Sequence, residues 1–244
     1  MKNTMKISSF IIHMDSSIQR APNVAGLLKT LPNAQVIPAV DGRKLSAEER
    51  AAVIRKTSLQ PAYPFALSNA EIGCFLSHRK CWQKIVEGDL PFGLVVEDDL
   101  EVKRDDFFQA VELAIAHADS NSYIRFPTKN REVPVKIIDI CNGKELFIPQ
   151  VTGLQCTAQL IGRDTAKRLL ELTKEIDRPV DTFMQMTWIT NVQPIVVYPN
   201  GVSVIAAEST IQRKLPLYAK ARREWHRGEY RHLVRKYAGQ RGHK

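Results

Sequence analysis

The apolar run Pro91-Phe-Gly-Leu-Val-Val96 leads directly into three carboxylates, Glu97, Asp98 and Asp99. Such a run predicts a central strand covered on both faces, and in open α/β sheets ligands collect beyond the carboxyl ends of strands. Adjacent carboxylates raise one another's cost of ionisation unless a cation neutralises them. Hard divalent ions take oxygen ligands of this kind, and Mg2+ is commonly held by one or two carboxylates together with substrate phosphates. The pattern therefore predicts a cation able to stabilise charge on a phosphate leaving group. The competing reading is a solvated loop in which Asp99 or a neighbour caps the next helix.

A second group of side chains precedes this strand. Ser68-Asn-Ala-Glu71 has capping-box spacing, with a hydroxyl at the N-cap and a carboxylate three residues on. Ile72, Phe75, the stem of Arg79, Trp82 and Val86 then recur at helical spacing. Glu71, His78, Trp82 and Ile85 fall on nearly one side of that helix. His78 is either a satisfied core residue or a group that orients the carboxylates and lines the ligand site. Glu71 is either the cap partner alone or a ligand-binding group. The four cysteines, Cys74, Cys81, Cys141 and Cys156, offer no CxxC pair and no Cys/His ligand spacing, which argues against a zinc centre and for buried free thiols.

The elements that must position these residues read as α/β. Ile7–Ile12 and Ala34–Val40 are predicted strands joined by a helix towards Lys29, the second stopped by Asp41-Gly42. Asp105–His117 is predicted helical, and Tyr123–Pro149 reads as short strands and loops. Thr157–Ile161 reads as a strand, followed by a helix to Thr173 capped by Asp164. Pro179-Val-Asp181 breaks the pattern before a further helix or turn, and Pro194–Pro199 is a last strand. Strand, helix, strand at the start predicts a parallel sheet.

Length and charge bound the rest. A chain of 244 residues, 44% hydrophobic and 25% charged, fits one α/β domain with a small appendage. Met1–Lys6 is basic, but the apolar run after it is too short for an export signal, so the reading is a cytoplasmic protein. The formal charge is +9, and from Ile211 onward 11 Lys/Arg stand against 2 acids. The excess therefore lies wholly in a segment 211–244, apart from a neutral body 1–210. There Tyr218, Ala221 and Trp225, then Tyr230, Leu233, Val234 and Tyr237, recur at helical spacing among basic residues. That is the pattern of a helix lying on an anionic membrane surface; the bland reading is a solvated helix packed on the domain.

Leu67-Ser-Asn-Ala-Glu-Ile-Gly-Cys-Phe-Leu-Ser-His78, then Trp82, then Leu90-Pro-Phe-Gly-Leu-Val-Val-Glu-Asp-Asp99 resembles the signature of glycosyltransferase family 25, with Ala70 where Gly is frequent. Phe10–Arg20 is similar to the family's first strand and turn, with His13 in place of Asn. Ala39-Val-Asp-Gly42 is similar to its Ala-x-Asp-Gly segment. Gly153–Leu170 resembles a further segment, with Gln159 where Tyr is usual, and Pro179-Val-Asp181 resembles its Pro-x-Asp. The resemblance runs over about residues 7–211 in matching order. Stretches of this length are more specific than an isolated acidic triplet.

The resemblance implies a GT-A-like fold: a single domain with a mostly parallel central sheet flanked by helices, followed here by the basic helical tail. It implies a UDP-sugar donor, UDP-galactose by family habit, transfer with inversion, and Mn2+ or Mg2+. The acceptor it implies is a lipid-linked oligosaccharide of the lipooligosaccharide or lipopolysaccharide core, which suits a peripheral position on the inner face of the cytoplasmic membrane. It assigns metal contact to Asp99 and Glu97, with Asp98 and Glu97 in metal, ribose or supporting roles. His13, Arg20, Asp41, Gly42, Glu71 and His78 go to donor binding. Inverting transfer needs a general base, and Asp181 fills that role, with Asp139, Asp164 and Glu208 as rivals. Its alternative is an N-cap.

Two other function classes follow from the same residues. A nucleic-acid-binding module would use the basic, aromatic-bearing tail, but it gives no reason for a strand ending in carboxylates. A degenerate nucleotide-sugar binder is suggested by the departures at His13 and Gln159.

Overall fold

A computed structural model describes residues 6–205 and 217–239, the first five of the latter as backbone. In chain order the elements are β1 (Ser8–His13), α1 (Ala21–Thr30), β2 (Ala34–Pro38), α2 (Ala47–Val53), α3 (Asn69–Glu87), β3 (Phe92–Glu97), β4 (Leu100–Val102), α4 (Arg104–Ala116) and β5 (Tyr123–Arg125). They continue with β6 (Pro134–Cys141), β7 (Lys144–Pro149), β8 (Ala158–Gly162), α5 (Arg163–Leu172), α6 (Val180–Met184), α7 (Thr187–Thr190), β9 (Pro194–Tyr198), β10 (Val202–Val204) and α8 (Leu217–Gly239).

Eight strands form one sheet in the order β2-β1-β3-β8-β5-β9-β7-β6. The pairings β1–β2, β1–β3 and β5–β9 are parallel. Those of β8 with β3 and β5, and of β7 with β6 and β9, are antiparallel. The sheet is thus mixed, a correction to the mostly parallel sheet expected from the opening strand-helix-strand pattern. The β6–β7 hairpin turns at Asn142 and Gly143, both at positive φ, and β8 enters between two strands of the opposite sense. Neither feature is visible in the first ninety residues, from which the parallel expectation derives.

Side-chain alternation divides the core between the two faces. Ile11, Leu94 and Val96 pack with Val24 and Leu27 of α1 and Phe107 and Val111 of α4. Phe10, Ile12 and Val95 pack with Ile72, Phe75, Trp82 and Ile85 of α3 and with α5 and α6. Phe75, Trp82, Leu94, Val95 and Val96 are fully buried, and burying each such side chain contributes roughly 1.5–3 kcal/mol. The helix α1 covers one face on the way from β1 to β2. The helix α3 returns across the other face to β3. The chain therefore changes direction between β1 and β3, where a crevice forms at the carboxyl edge of an open sheet.

Several local expectations are revised. Asp164 does not cap α5: Gly162 is the N-cap, with no side-chain cap bond. The backbone N–H groups of Asp164 and Thr165 donate instead to the Ser120 carbonyl, and Asp164 accepts from Ser120 Oγ at 2.6 Å. The α2 helix, with its own capping box at Ser46 and Glu49, and the β4–β10 ribbon have no counterpart among the expected elements. All four cysteines are free, but only Cys81 and Cys156 are buried; Cys74 and Cys141 have exposed surface.

The tail reading also changes. Tyr230 and Val234 of α8 are buried against the domain. Tyr230 stands edge-on to Tyr63 with ring centroids 5.5 Å apart, and Tyr237 lies against Trp188 at 5.4 Å. Arg178, fully buried, donates to the Tyr230 hydroxyl at 2.7 Å, to the Leu59 and Pro61 carbonyls, and twice to Asp177. The second apolar set of the tail, with Tyr230, Val234 and Tyr237, is therefore docked on protein and is not free for a membrane interface. Trp225, 65% exposed, and Arg222, Arg227, Arg231, Arg235 and Lys236 remain exposed. The boundary at 210/211, Glu208, and the Tyr218 and Ala221 side chains lie outside the described residues. Among the described residues no helix is long and apolar enough to cross a membrane.

Candidate functional site

The carboxylate triplet sits at the crevice between β1 and β3. Glu97 is the last residue of β3, its N–H bonded to the Thr157 carbonyl at 2.9 Å. Asp98 and Asp99 form the turn into β4. That turn is clamped by Asn23 of α1, whose Nδ2 donates to the carbonyls of Asp98 (2.9 Å) and Leu100 (2.8 Å). The Asp99 carbonyl accepts from the Ile205 N–H at 2.9 Å, just past the β4–β10 ribbon.

The three side chains have different surroundings. Asp98 is buried, with one oxygen 2.8 Å from His13 Nδ1 and the other bonded to Arg20 Nη1. Both of its oxygens are engaged. Asp99 has a contact of 3.5 Å with Arg20 Nη2 through Oδ2, while its Oδ1 is buried without a partner. Burial, reinforced by the charge of Glu97, pushes the Asp99 carboxyl up to about 6. Glu97 Oε1 lies 3.3 Å from Nε2 of the fully buried His78. On the other side of that ring, Gln159 Nε2 is 3.1 Å from Nδ1, so His78 is held from both edges. An unpartnered buried carboxylate oxygen beside a second carboxylate is the environment that a hard cation relieves, and Asp99 with Glu97 fits such an ion.

Other expected site residues fall at the same sheet edge in two further places. Asp41 and Gly42 follow β2. Asp41 lines a cleft of about 330 Å3 with Met14, Asp15, Ala39, Lys44 and Lys80. Its carboxylate is bonded to Arg43, which lowers its pKa to about 2. Gly42 has a packing role: a Cβ there would stand 1.9 Å from the Asn69 carbonyl oxygen and 3.0 Å from the Gly73 nitrogen. Only glycine lets this turn lie on the start of α3. Glu71 is the capping-box partner, its Oε2 accepting from Ser68 N (2.7 Å) and Ser68 Oγ (2.6 Å). A larger cleft, about 400 Å3, lies at the opposite end of the sheet along β6, β7 and β9, remote in sheet order from β1 and β3.

Asp181 is not an N-cap, because Pro179 occupies that position in α6. Half-buried, it accepts from its neighbour Thr182 N at 2.7 Å and from Gln155 N at 3.3 Å. The loop carrying Gln155 is pinned from below by a buried ion pair between Arg125 and Glu132. Arg125 Nη2 donates to the Leu154 and Gln155 carbonyls at 2.9 Å each, and Glu132 accepts from Gly153 N at 2.6 Å. Of the rival bases, Asp139 pairs with His117 at 2.7 Å and Asp164 with Ser120, on neither side of the crevice.

The sequence profile described as glycosyltransferase family 25 (LPS biosynthesis protein) matches residues 6–184, a stretch that contains every side chain of this crevice. The chain belongs to glycosyltransferase family 25. Among curated relatives, Procollagen galactosyltransferase 1 of Danio rerio is 35% identical over 108 residues, covering 41% of this chain and 18% of that protein. Inactive glycosyltransferase 25 family member 3 of Mus musculus is 35% identical over 101 residues, 38% of this chain and 16% of that protein. The chain thus spans under a fifth of the length of these relatives. A crystal structure of an active-site mutant of LgtC covers 91% of the chain at 14% identity with a TM-score of 0.36, a likeness too slight to assign anything by itself.

Within this family 25 chain, sequence reasoning missed Asn23, the Arg125–Glu132 pair and the proximity of Cys74 to His78. Asn23 carries no local signal, since Ala21-Pro-Asn23 reads only as a helix start. Arg125 and Glu132 are seven residues apart in a region of mixed pattern, and only the fold shows both to be buried. Cys74 and His78 stand four apart on one helix, a spacing visible in the sequence but not among the common zinc patterns.

Proposed function

We propose that this chain transfers a hexose, galactose in the first instance, from a UDP-sugar to the saccharide of a lipid-linked oligosaccharide, with inversion and with Mn2+ or Mg2+. The observation that carries the reading is the unequal neutralisation of the triplet. Asp98 is fully bonded by His13 and Arg20, whereas Asp99 keeps a buried oxygen with no partner. Membership of a family described by LPS biosynthesis and galactosyltransferases among the relatives support the donor and acceptor classes.

In this reading Asp99 and Glu97 hold the ion, which when bound stabilises the charge of a departing nucleoside diphosphate. Arg20 bonds to Asp98 and presents its remaining donors along the same edge, where they suit pyrophosphate oxygens. The nucleoside occupies the cleft beside β1 and β2, where Asp41 accepts from ribose hydroxyls and Lys44 and Lys80 add positive charge. Asp98, His13 and Asn23 fix the turn geometry. Asp181 takes the proton of the acceptor hydroxyl as its oxygen bonds to the anomeric carbon. The bond from that carbon to the phosphate oxygen breaks on the opposite side, and its electron pair leaves with the nucleotide. The two backbone N–H groups on Asp181 orient it and leave lone pairs for the hydroxyl.

The test is a screen of UDP-, GDP- and CMP-sugars for hydrolysis or transfer with Mn2+ and with chelator. Product from a UDP-hexose that disappears with chelator is the expected result. Metal-dependent UDP binding without product from any donor would replace the transferase by a nucleotide-sugar binder. Absence of both would overturn the reading.

A further inference from the structure

We propose that Cys74, His78 and Glu97 form a binding site for one thiophilic divalent cation of the Zn2+ class, distinct in its donor set from the Asp99 oxygen and sharing only Glu97 with it. Cys74 and His78 project from the same face of α3, four residues apart, and β3 delivers Glu97 opposite them. One ligand atom from each residue lies within 4.8 Å of the other two, and His78 Nε2 is already 3.3 Å from Glu97 Oε1. In a tetrahedral zinc site with bonds of about 2.0–2.3 Å, ligand atoms stand roughly 3.3–3.8 Å apart. The His78–Glu97 edge has that length now, and rotation of the Cys74 and Glu97 side chains closes the other two.

The surroundings of His78 supply a second, independent observation. With Gln159 Nε2 donating to Nδ1, the ring proton sits on Nε2 and faces Glu97. Gln159 is fully buried and its Oε1 has no partner. A cation on Nε2 moves the ring proton to Nδ1, and the amide turns so that Oε1 accepts it. The turn exchanges the bond from Gln159 Nε2 to the ring for one from the ring to the orphan Oε1, and gives up a long 3.4 Å contact of Nε2 with the Cys156 carbonyl. A ligating histidine with its second nitrogen held by a buried acceptor is the usual outer arrangement of a metal site.

Charge points the same way. The carboxylates Glu97, Asp181, Glu71 and Asp99 surround Cys74, a field that attracts a divalent cation, and Cys74 would ligate such a cation as the thiolate. Cys74 retains exposed surface, which provides an entry path. Three protein ligands leave a fourth position open, as in sites that accept water or a small ligand.

The experiment is a Co2+ titration of the reduced full chain by absorption spectroscopy. The expected result is one equivalent of tetrahedral cobalt with a sulfur-to-cobalt charge-transfer band, abolished by Zn2+ and by Cys74→Ser. The band persists in Cys141→Ser, which removes the other exposed thiol, and in Asp99→Asn. No band in the wild-type chain, a band that survives Cys74→Ser, or loss of the band in Cys141→Ser or Asp99→Asn would each overturn the site. His78→Gln is scored only after circular dichroism shows it folded, and Cys74→Ser remains the deciding variant. Mn2+-supported transfer is measured on the same proteins. Its absence in the wild type defeats the transferase reading and leaves the cobalt spectrum to decide this site alone.

Discussion

Replacing Asp99 by Asn should make the metal-free chain more stable while removing metal-dependent turnover. The Asp99 carboxyl is pushed from an ordinary 3.8 to about 6 by burial and by Glu97. A gap of about two pH units, at about 1.4 kcal/mol each, corresponds to about 3 kcal/mol against the ionised form. The side chain is 19% exposed and touches Arg20 at 3.5 Å, so solvent screening and loss of that contact reduce the net gain to about 1–2 kcal/mol. The folded chain holds this proton more tightly than the unfolded chain does. Stability from this group is therefore complete below about pH 4, declines as pH rises towards about 6, and is absent above that. Urea unfolding with chelator should show the Asp99→Asn variant more stable than wild type at about pH 8 and equal to it at about pH 4. Added Mn2+ should then stabilise the wild type, by about 1.4 kcal/mol at ten times its Kd, and leave the variant unchanged. Equal stability of the two proteins at about pH 8, or destabilisation of the variant by the same amount at both pH values, would refute the electrostatic reasoning.

Four further outcomes are expected. Asp181→Asn should abolish transfer and leave donor affinity measurable by calorimetry; retained turnover would remove this residue from the mechanism. Gly42→Ala forces a Cβ to within 1.9 Å of the Asn69 carbonyl oxygen, so it should lose about 3 kcal/mol or more of stability, read by denaturant unfolding; a neutral result would mean the turn is not packed on α3 as described. Tyr230→Phe leaves a buried Arg178 donor without its 2.7 Å partner and should destabilise the chain by about 1–3 kcal/mol. Limited proteolysis should then cut α8 faster than in wild type, and an unchanged rate would argue against docking through this bond. Glu132→Ala strands the buried Arg125 charge and should lose about 3–5 kcal/mol; transfer should fall in any folded protein because the Gln155 loop no longer holds Asp181. Full activity at unchanged stability would count against that role.

Much of this was legible one element at a time. The capping box at Ser68 and Glu71, the helical spacing of Ile72, Phe75 and Trp82, and the apolar run ending at Glu97 are local patterns. Local patterns survive folding because hydrogen-bond closure at a helix start and side-chain periodicity involve residues close in sequence. The motif 67–99 pointed to the family for the same reason: its residues occupy consecutive turns of one helix and one strand. The strand order past β3 was not legible, because the antiparallel insertion of β8 depends on which edge is already occupied when it pairs. The tail shows the limit clearly. Tyr230, Val234 and Tyr237 have the spacing of an amphipathic face, but spacing does not say whether lipid or protein covers it. Here the buried Arg178 and the half-buried Tyr63 and Trp188 supply the cover.

The chain alone determined which carboxylates, histidines and glycines stand at element ends, since binary pattern and turn residues set where strands and helices stop. The tertiary structure decided how those groups divide their work. Only the approach of β1 and α1 to β3 brings His13, Arg20 and Asn23 onto Asp98 and its turn and leaves Asp99 with an unpartnered oxygen. The physical reason is that a carboxylate's role follows from the charges and donors within a few ångströms of it, and these arrive from positions more than seventy residues away in the sequence.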